Sequence, residues 1–348
     1  MSGVLAVVKA GALTTVQDFG RPGYAHLGVP RSGALDPGAL RRANALVGNP
    51  AGAAGLETTL TGCAFRLPAG GLVALTGAVA AVSVDGVPAA LDVAVRVPPD
   101  GLVEVGRATA GVRSYVAVAG GIAVPPVLGS RSTDTLSGLG PPRLRNGDLL
   151  PLGRPGDAAT AAGSDRIPNG SDGPDPYGPD PHGPHGPGPH GPHGPHGPDP
   201  HGLHGPDTPE GADGPNGLEA GGRRLASSAT PGRDGLIVLP VRLGPRDGWF
   251  TAAAVETLLT TAYTVSPNSN RVGARLAGAA LARAVAGELP SEGVVLGAVQ
   301  VPADGQPLIF LADHPTTGGY PVIAVVTDVS ALAQARPGST VRFHGPQR

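Results

Sequence analysis

The chain has 348 residues, a formal net charge of −2, 40% hydrophobic and 3% aromatic residues, and 57 Gly and 40 Pro. So balanced a charge offers no electrostatic footing for nucleic acid or an anionic membrane surface. The single cysteine, Cys63, excludes an internal disulfide framework and fits a reducing compartment.

Residues 1–8 contain no basic region followed by a long apolar core, and no run reaches the roughly 18 apolar residues of a membrane-spanning helix. A cytoplasmic location is expected. Val, Leu and Ala supply most of the apolar set, and turn residues recur throughout. That composition favours many short strands over long helices.

In chain order, the first distinctive stretch is Val16-Gln17-Asp18-Phe19-Gly20-Arg21-Pro22-Gly23-Tyr24, a tight loop with a carboxylate three residues before a guanidinium. Gly20 and Gly23 permit positive φ, and Pro22 stiffens the turn. Arg21 either pairs with Asp18 and pins the loop, or offers its planar fork to a carboxylate or phosphate. Next, Arg31 and Ser32 stand just before a well-signposted helix. Asp36 can cap it, Pro37 suits its first position, and Leu40, Ala43, Leu46 and Val47 form its apolar stripe. Gly48 and Pro50 end it. The helix start could hold an anion, or Asp36 could fill that end itself.

Strands are expected at residues 72–76, 81–84, 102–105 and 114–119, separated by turn signals such as Asp85-Gly86 and Asp100-Gly101. From 156 to 234 the composition shifts to Gly, Pro, Asp, Ser and His, with tandem Gly-Pro-His units and seven of the ten histidines. A stretch with so little to bury cannot offset the entropy of ordering, so a disordered or polyproline-like spacer is expected. Three regions follow: an N-terminal β domain over 1–155, the spacer over 156–234, and a C-terminal β domain over 235–348.

In the second half, strands are expected at 236–243, 307–311, 322–327 and 340–343, and helices at 251–259 and 330–335. The loop Tyr263-Thr264-Val265-Ser266-Pro267-Asn268-Ser269-Asn270-Arg271-Val272-Gly273 gathers amides, hydroxyls and one Arg. A second loop, Asp313-His314-Pro315-Thr316-Thr317-Gly318-Gly319, exposes hydroxyls and backbone N–H groups suited to an oxyanion or small polar substrate. No Gly-Lys-Ser/Thr phosphate loop, metal-spaced His/Cys cluster or Gly-x-Ser-x-Gly elbow occurs. Glu57 and Glu292 each stand in apolar surroundings. Such a carboxylate must be paired, for example with Arg113, Arg271 or Arg275, or serve as a general acid or base.

The halves echo each other. Pro30-Arg31-Ser32, Glu57, Gly62 and Pro68-Ala69-Gly70-Gly71 are matched by Pro267-Asn268-Ser269, Glu292, Gly297 and Pro302-Ala303-Asp304-Gly305. The Glu-to-Gly spacing is the same in both, which a duplicated β unit explains economically. Two related barrels, each closed or nearly so, are expected.

These segments in this order, with Leu128-Gly129-Ser130-Arg131-Ser132-Thr133 and Gly244-Pro245-Arg246-Asp247, resemble one family. It is the biotin-dependent carboxyltransferase/allophanate hydrolase subunit 2 family, which includes the C component of 5-oxoprolinase and the Kip antagonist protein. The resemblance implies tandem cyclophilin-like β-barrels. It also implies membership of a multi-subunit, ATP-dependent 5-oxoprolinase complex that opens 5-oxo-L-proline to L-glutamate. The partners would be its A component and its B component, the latter Kip inhibitor-like. ATP and Mg would act at the level of the complex, with no biotin on this chain. Alternatives are the carboxyltransferase component of a urea carboxylase-type system, or a regulator that sequesters a kinase-inhibitor partner. His314-Pro315 stand where the family usually has Arg-Gln or Arg-Gly. On this resemblance Asp18, Glu292 and Asp313 are the acid/base candidates. Arg21, Arg246 and Arg271 would hold anionic groups, and Ser32, Ser269 and Thr317 would supply polar contacts.

Overall fold

The computed structural model describes residues 3–155, 235–287 and 289–345. The spacer expected over 156–234, with its histidines, lies outside the described residues.

The N-terminal half contains β1 (Val4–Lys9), β2 (Thr14–Gln17), α1 (Pro37–Leu46), β3 (Gly55–Thr59), β4 (Cys63–Leu67), β5 (Gly71–Val84), β6 (Val87–Ala89), β7 (Ala94–Val97), β8 (Gly101–Val118) and β9 (Leu149–Pro151). The helix forms as its residues dictate: the Asp36 side chain accepts from the Ala39 N–H at 2.8 Å, and Pro37 occupies the first turn.

The four strands expected here are two. Residues 72–76 and 81–84 join in the 14-residue β5, and 102–105 and 114–119 join in the 18-residue β8. The intervening residues carry no turn chemistry that would force a reversal. The pairing crosses them instead by register shifts between Gly77 and Val82, which let the long ribbon bend. The turn signals themselves hold, since Asp85, Gly86 and Asp100 all have positive φ at strand ends. The strand order is β2-β3-β8-β4-β1-β9, with β5 on β8 carrying β6 and β7. This sheet curls around its core but is not closed.

The C-terminal half contains β10 (Leu236–Leu243), α2 (Ala252–Thr260), β11 (Ala262–Val265), β12 (Gly273–Ala277), β13 (Glu292–Gly293), β14 (Ala298–Gln300), β15 (Leu308–Phe310), β16 (Thr317–Gly318), β17 (Val322–Val326) and β18 (Thr340–His344). Seven of these strands close a barrel in the order β10-β17-β14-β15-β12-β11-β18, while β13 and β16 form a separate ribbon. The helix expected at 330–335 is a tight 3-10 segment, Ser330–Gln334.

The echo between the halves has a shared steric basis. Gly62 and Gly297 both adopt positive φ, and a Cβ at either would collide with the carbonyl oxygen of Val105 or Val326 on the neighbouring strand. The ladders differ, however. The last strand of the N-terminal half runs antiparallel to its first, whereas β18 runs parallel to β10. Each half has its own apolar core, and Leu35 of the N-terminal half packs into the C-terminal one.

Candidate functional site

The halves meet at a buried ionic network. Arg271 donates from Nη1 to Glu57, from Nε and Nη2 to the two oxygens of Asp313 at 2.9 Å each, and from Nη2 to the Gly33 carbonyl at 2.7 Å. Asp313 also accepts from Ser32 Oγ at 3.0 Å, and from Thr135 N and Oγ1 at 3.0 and 2.6 Å. Glu57 accepts from Tyr115 Oη at 2.8 Å and Leu35 N at 3.0 Å, with the Arg113 guanidinium 3.6 Å away. Two carboxylates and two guanidiniums thus balance, and all four side chains are buried.

The electrostatics follow from that pairing. Burial opposes the charge on Arg271, but Glu57 and Asp313 outweigh it and raise its pKa. Burial likewise opposes ionisation of Asp313, yet Arg271 and the Thr135 donors hold its pKa below the usual carboxylate value. Burial and the adjacent Glu57 push the Tyr115 hydroxyl well above its ordinary pKa. Ser32 adopts φ 54°, a conformation costly for a residue with a side chain. Its bond to Asp313 is part of what holds it there. Beside it, His314 donates from Nδ1 to the Pro315 carbonyl at 2.6 Å, and burial lowers the pKa of its imidazole below the ordinary value.

Asp18 and Arg21 serve a second cluster. Asp18 is buried and accepts from Ser130 Oγ and Ser132 Oγ at 2.6 Å, from the Arg131 N–H at 2.6 Å and from the Gly20 N–H at 2.8 Å. The expected alternative of an internal Asp18–Arg21 pair is not formed among the described residues. Arg21 instead donates to the Ser132 and Val127 carbonyls, and its Nη1 is buried without a protein partner. The 130–132 segment offers Asp18 three donors at once, two hydroxyls and one backbone N–H.

A third group is at the surface. Arg246 and Glu292 form a bidentate pair, about one-third exposed, and Arg246 holds the Glu292 pKa below its ordinary value. Glu292 is in β13, which pairs with β16, so Thr317 stands beside it in the same exposed ribbon. Ser269 is elsewhere, exchanging hydrogen bonds with the Arg275 backbone at 3.0 and 3.3 Å.

Where could a ligand enter? Three adjoining clefts, of about 580, 360 and 170 Å³, meet around Leu13. The largest is lined by Thr133, Asp134, Arg143, Asn270 and Arg271, so both halves contribute walls. Ser269 and Arg113 border the smallest. The structure therefore brings Arg271, Ser269, Ser32 and Asp313 to one junction, and sets Asp18–Arg21 and Arg246–Glu292–Thr317 apart from it. Sequence reasoning missed Asp134, Thr135 and Arg143 as site residues, and read Thr133 only as the end of the Leu128–Thr133 motif. Asp134 and Thr135 directly follow that motif, whereas Arg143 carries no such signal.

The chain matches the family described as carboxyltransferase domain, subdomain A and B, over residues 27–192 and 208–345. It belongs to that family. Across 98% of its length this carboxyltransferase-family chain is 35% identical to the C component of 5-oxoprolinase from Escherichia coli strain K12, covering 90% of that protein. It is 30% identical over 97% of its length to a urea amidolyase of Lachancea kluyveri, of which it covers only 16%. Among solved structures, TTHA0988 superposes with a TM-score of 0.69 at 29% identity, covering 98% of this chain. The urea amidolyase of K. lactis gives 0.72 at 25% identity, again over 98% of this chain. The chain spans 55% of the TTHA0988 chain and 18% of the K. lactis chain. Among the described residues no helix is long and apolar enough to cross a membrane.

Proposed function

We propose that this chain is one component of an ATP-dependent 5-oxoprolinase complex that hydrolyses 5-oxo-L-proline to L-glutamate. The observation that carries the reading is the 35% identity to a 5-oxoprolinase C component over 98% of the chain. The junction cleft supports it, because walls from two halves around polar side chains suit a small polar substrate.

The chemistry needs help from elsewhere in the complex. A lactam is a weak electrophile. Transfer of the ATP γ-phosphoryl group to the amide oxygen releases ADP and makes the ring carbon reactive. Water then adds to that carbon, the C–N bond breaks as the nitrogen takes up a proton, and a second water cleaves the resulting acyl phosphate to carboxylate and inorganic phosphate. Cations and N–H donors must stabilise the oxyanions, and a carboxylate must move protons. Among the described residues no three His, Cys, Asp or Glu side chains gather as a metal-holding group. ATP and Mg are assigned to the complex as a whole. Arg271 and Asp313 spend their hydrogen bonds on each other, on Glu57 and on Ser32. In this reading they fix the cleft floor, while Glu292, about one-third exposed beside Thr317, is an acid/base candidate outside the cleft.

The test is co-purification with a candidate Kip inhibitor-like B component, followed by ATP hydrolysis after the A component is added. Hydrolysis that depends on 5-oxoproline supports the reading, and its absence from an intact complex ends it. The matches to urea amidolyases favour a second reading, a carboxyltransferase component of a biotin system. Association with a biotin carboxylase, and carboxyl transfer from carboxybiotin to urea, would decide for it.

A further inference from the structure

Resting on the 5-oxoprolinase reading, we infer that the 580 Å³ junction cleft is the 5-oxoproline subsite, with Asp134 and Thr133 receiving the lactam N–H, Asn270 the lactam carbonyl and Arg143 the carboxylate.

The inference starts from hydrogen bonds that the fold leaves unmade. Thr133 and Asp134 are both buried, 3% and 1% exposed, and both line the cleft. Asp134 Oδ1 accepts from the N–H groups of Leu136 and Ser137 at 2.8 and 3.1 Å, which fixes the side chain, but Oδ2 has no protein partner. Thr133 Oγ1 has none either. Leaving a buried carboxylate oxygen and a buried hydroxyl unsatisfied is costly. Two such acceptors on adjacent residues of one wall call for a donor, and a ring N–H is one.

The opposite wall supplies the complement. Asn270 Oδ1 accepts from the N–H groups of Val272 and Gly273 at 2.8 and 3.2 Å, which fixes which end of the amide is oxygen. Its Nδ2 makes no hydrogen bond to the described residues, so two N–H donors remain for a carbonyl. Arg143 lines the same cleft and the adjoining 360 Å³ one, is exposed, and forms no ion pair among the described residues. A guanidinium at a cleft mouth attracts a carboxylate and binds it through two parallel N–H groups. Acceptors, an amide donor and a cation in one cleft match the three polar groups of a cyclic amide acid. Arg271, four of whose five N–H donors are used within the protein, holds the floor beneath them.

The test uses the whole chain in the reconstituted complex and reads KM against kcat for 5-oxoproline. Asp134→Asn puts a donor where the lactam N–H points, and Arg143→Gln removes the carboxylate partner. Each is expected to raise KM about tenfold or more, the scale of losing one charge-assisted hydrogen bond, with kcat much less affected. Arg143→Gln is a surface change that does not threaten folding, so it stands as a test even if Asp134→Asn proves unstable. Inhibition by 2-pyrrolidinone, which keeps the lactam and lacks the carboxylate, should weaken with Asp134→Asn and be indifferent to Arg143→Gln. A wild-type complex without 5-oxoproline-dependent ATP hydrolysis defeats the underlying reading. An active wild type whose KM moves less than about twofold in both variants overturns this subsite alone.

Discussion

Arg271 of the C-terminal barrel is ion-paired with Glu57 of the N-terminal sheet, 214 positions earlier, with both side chains 1% exposed. Their contact, joined by Asp313 and Arg113, makes the two halves depend on each other rather than merely touch. Replacing Arg271 with Met leaves two buried carboxylates short of a cation. The expected loss is about 3–5 kcal/mol of unfolding free energy, read by urea denaturation. Glu57→Gln should cost less than Arg271→Met, because Arg271 keeps Asp313. An Arg271→Met chain as stable as wild type would mean that this network does not hold the halves together.

Acid should act through Asp313. Its folded pKa lies below the unfolded value of about 3.8–3.9, so its contribution is present above that value and is lost as pH falls through the folded pKa. The stability curve should therefore bend downward below about pH 4, and Asp313→Asn should flatten that limb while lowering stability at pH 7. Tyr115 works in the opposite direction. Its raised pKa favours the folded state fully below about pH 10, with loss above it as the hydroxyl ionises preferentially in the unfolded chain. Denaturation midpoints across pH 2–5 and 9–11 in Asp313→Asn, Tyr115→Phe and wild type check both limbs.

Cys63 is expected to be inert in the folded protein. Burial pushes its thiol up to about 12, so almost no thiolate exists at pH 8. A thiol-reactive chromophore should label it only as fast as the protein unfolds, and prompt labelling in native buffer would contradict that burial.

The surface pair gives a discriminating case. Arg246–Glu292 is about one-third exposed, so Glu292→Gln should change stability by less than about 1 kcal/mol. If Glu292 moves protons in the complex, the same substitution should lower kcat by on the order of a hundredfold or more. Unchanged stability with unchanged kcat would remove Glu292 from the chemistry.

Gly62 and Gly297 should refuse a side chain. Alanine at either position meets a neighbouring carbonyl while held at positive φ, and should destabilise by more than about 1 kcal/mol. Similar losses at both would be the energetic counterpart of the repeated Glu-to-Gly spacing.

What the sequence made legible is what local chemistry decides. Asp36, Pro37 and the following stripe specify α1, and the run over β10 specifies its strand to the residue. The long strands β5 and β8 were hidden because a bulge leaves no composition signal, only a shift in partners. The site was less legible for a related reason. Arg271, Asp313 and Glu57 were visible as residues needing partners, but which partner each takes depends on contacts spanning 42 and 214 positions. Asp134 and Arg143 carried no motif at all. What sets them apart is a cleft whose walls come from opposite halves of the chain, and no window of sequence contains both walls.

The C-terminal barrel is sealed by its own first and last staves, with Leu236–Leu243 lying alongside Thr340–His344 in parallel register. Growing from the ribosome, that half must wait for Thr340–His344 to emerge before the cylinder can shut. Until then β10 and β11 keep bare edges where β18 will add, and any truncation that takes away β18 reopens the seam on both sides.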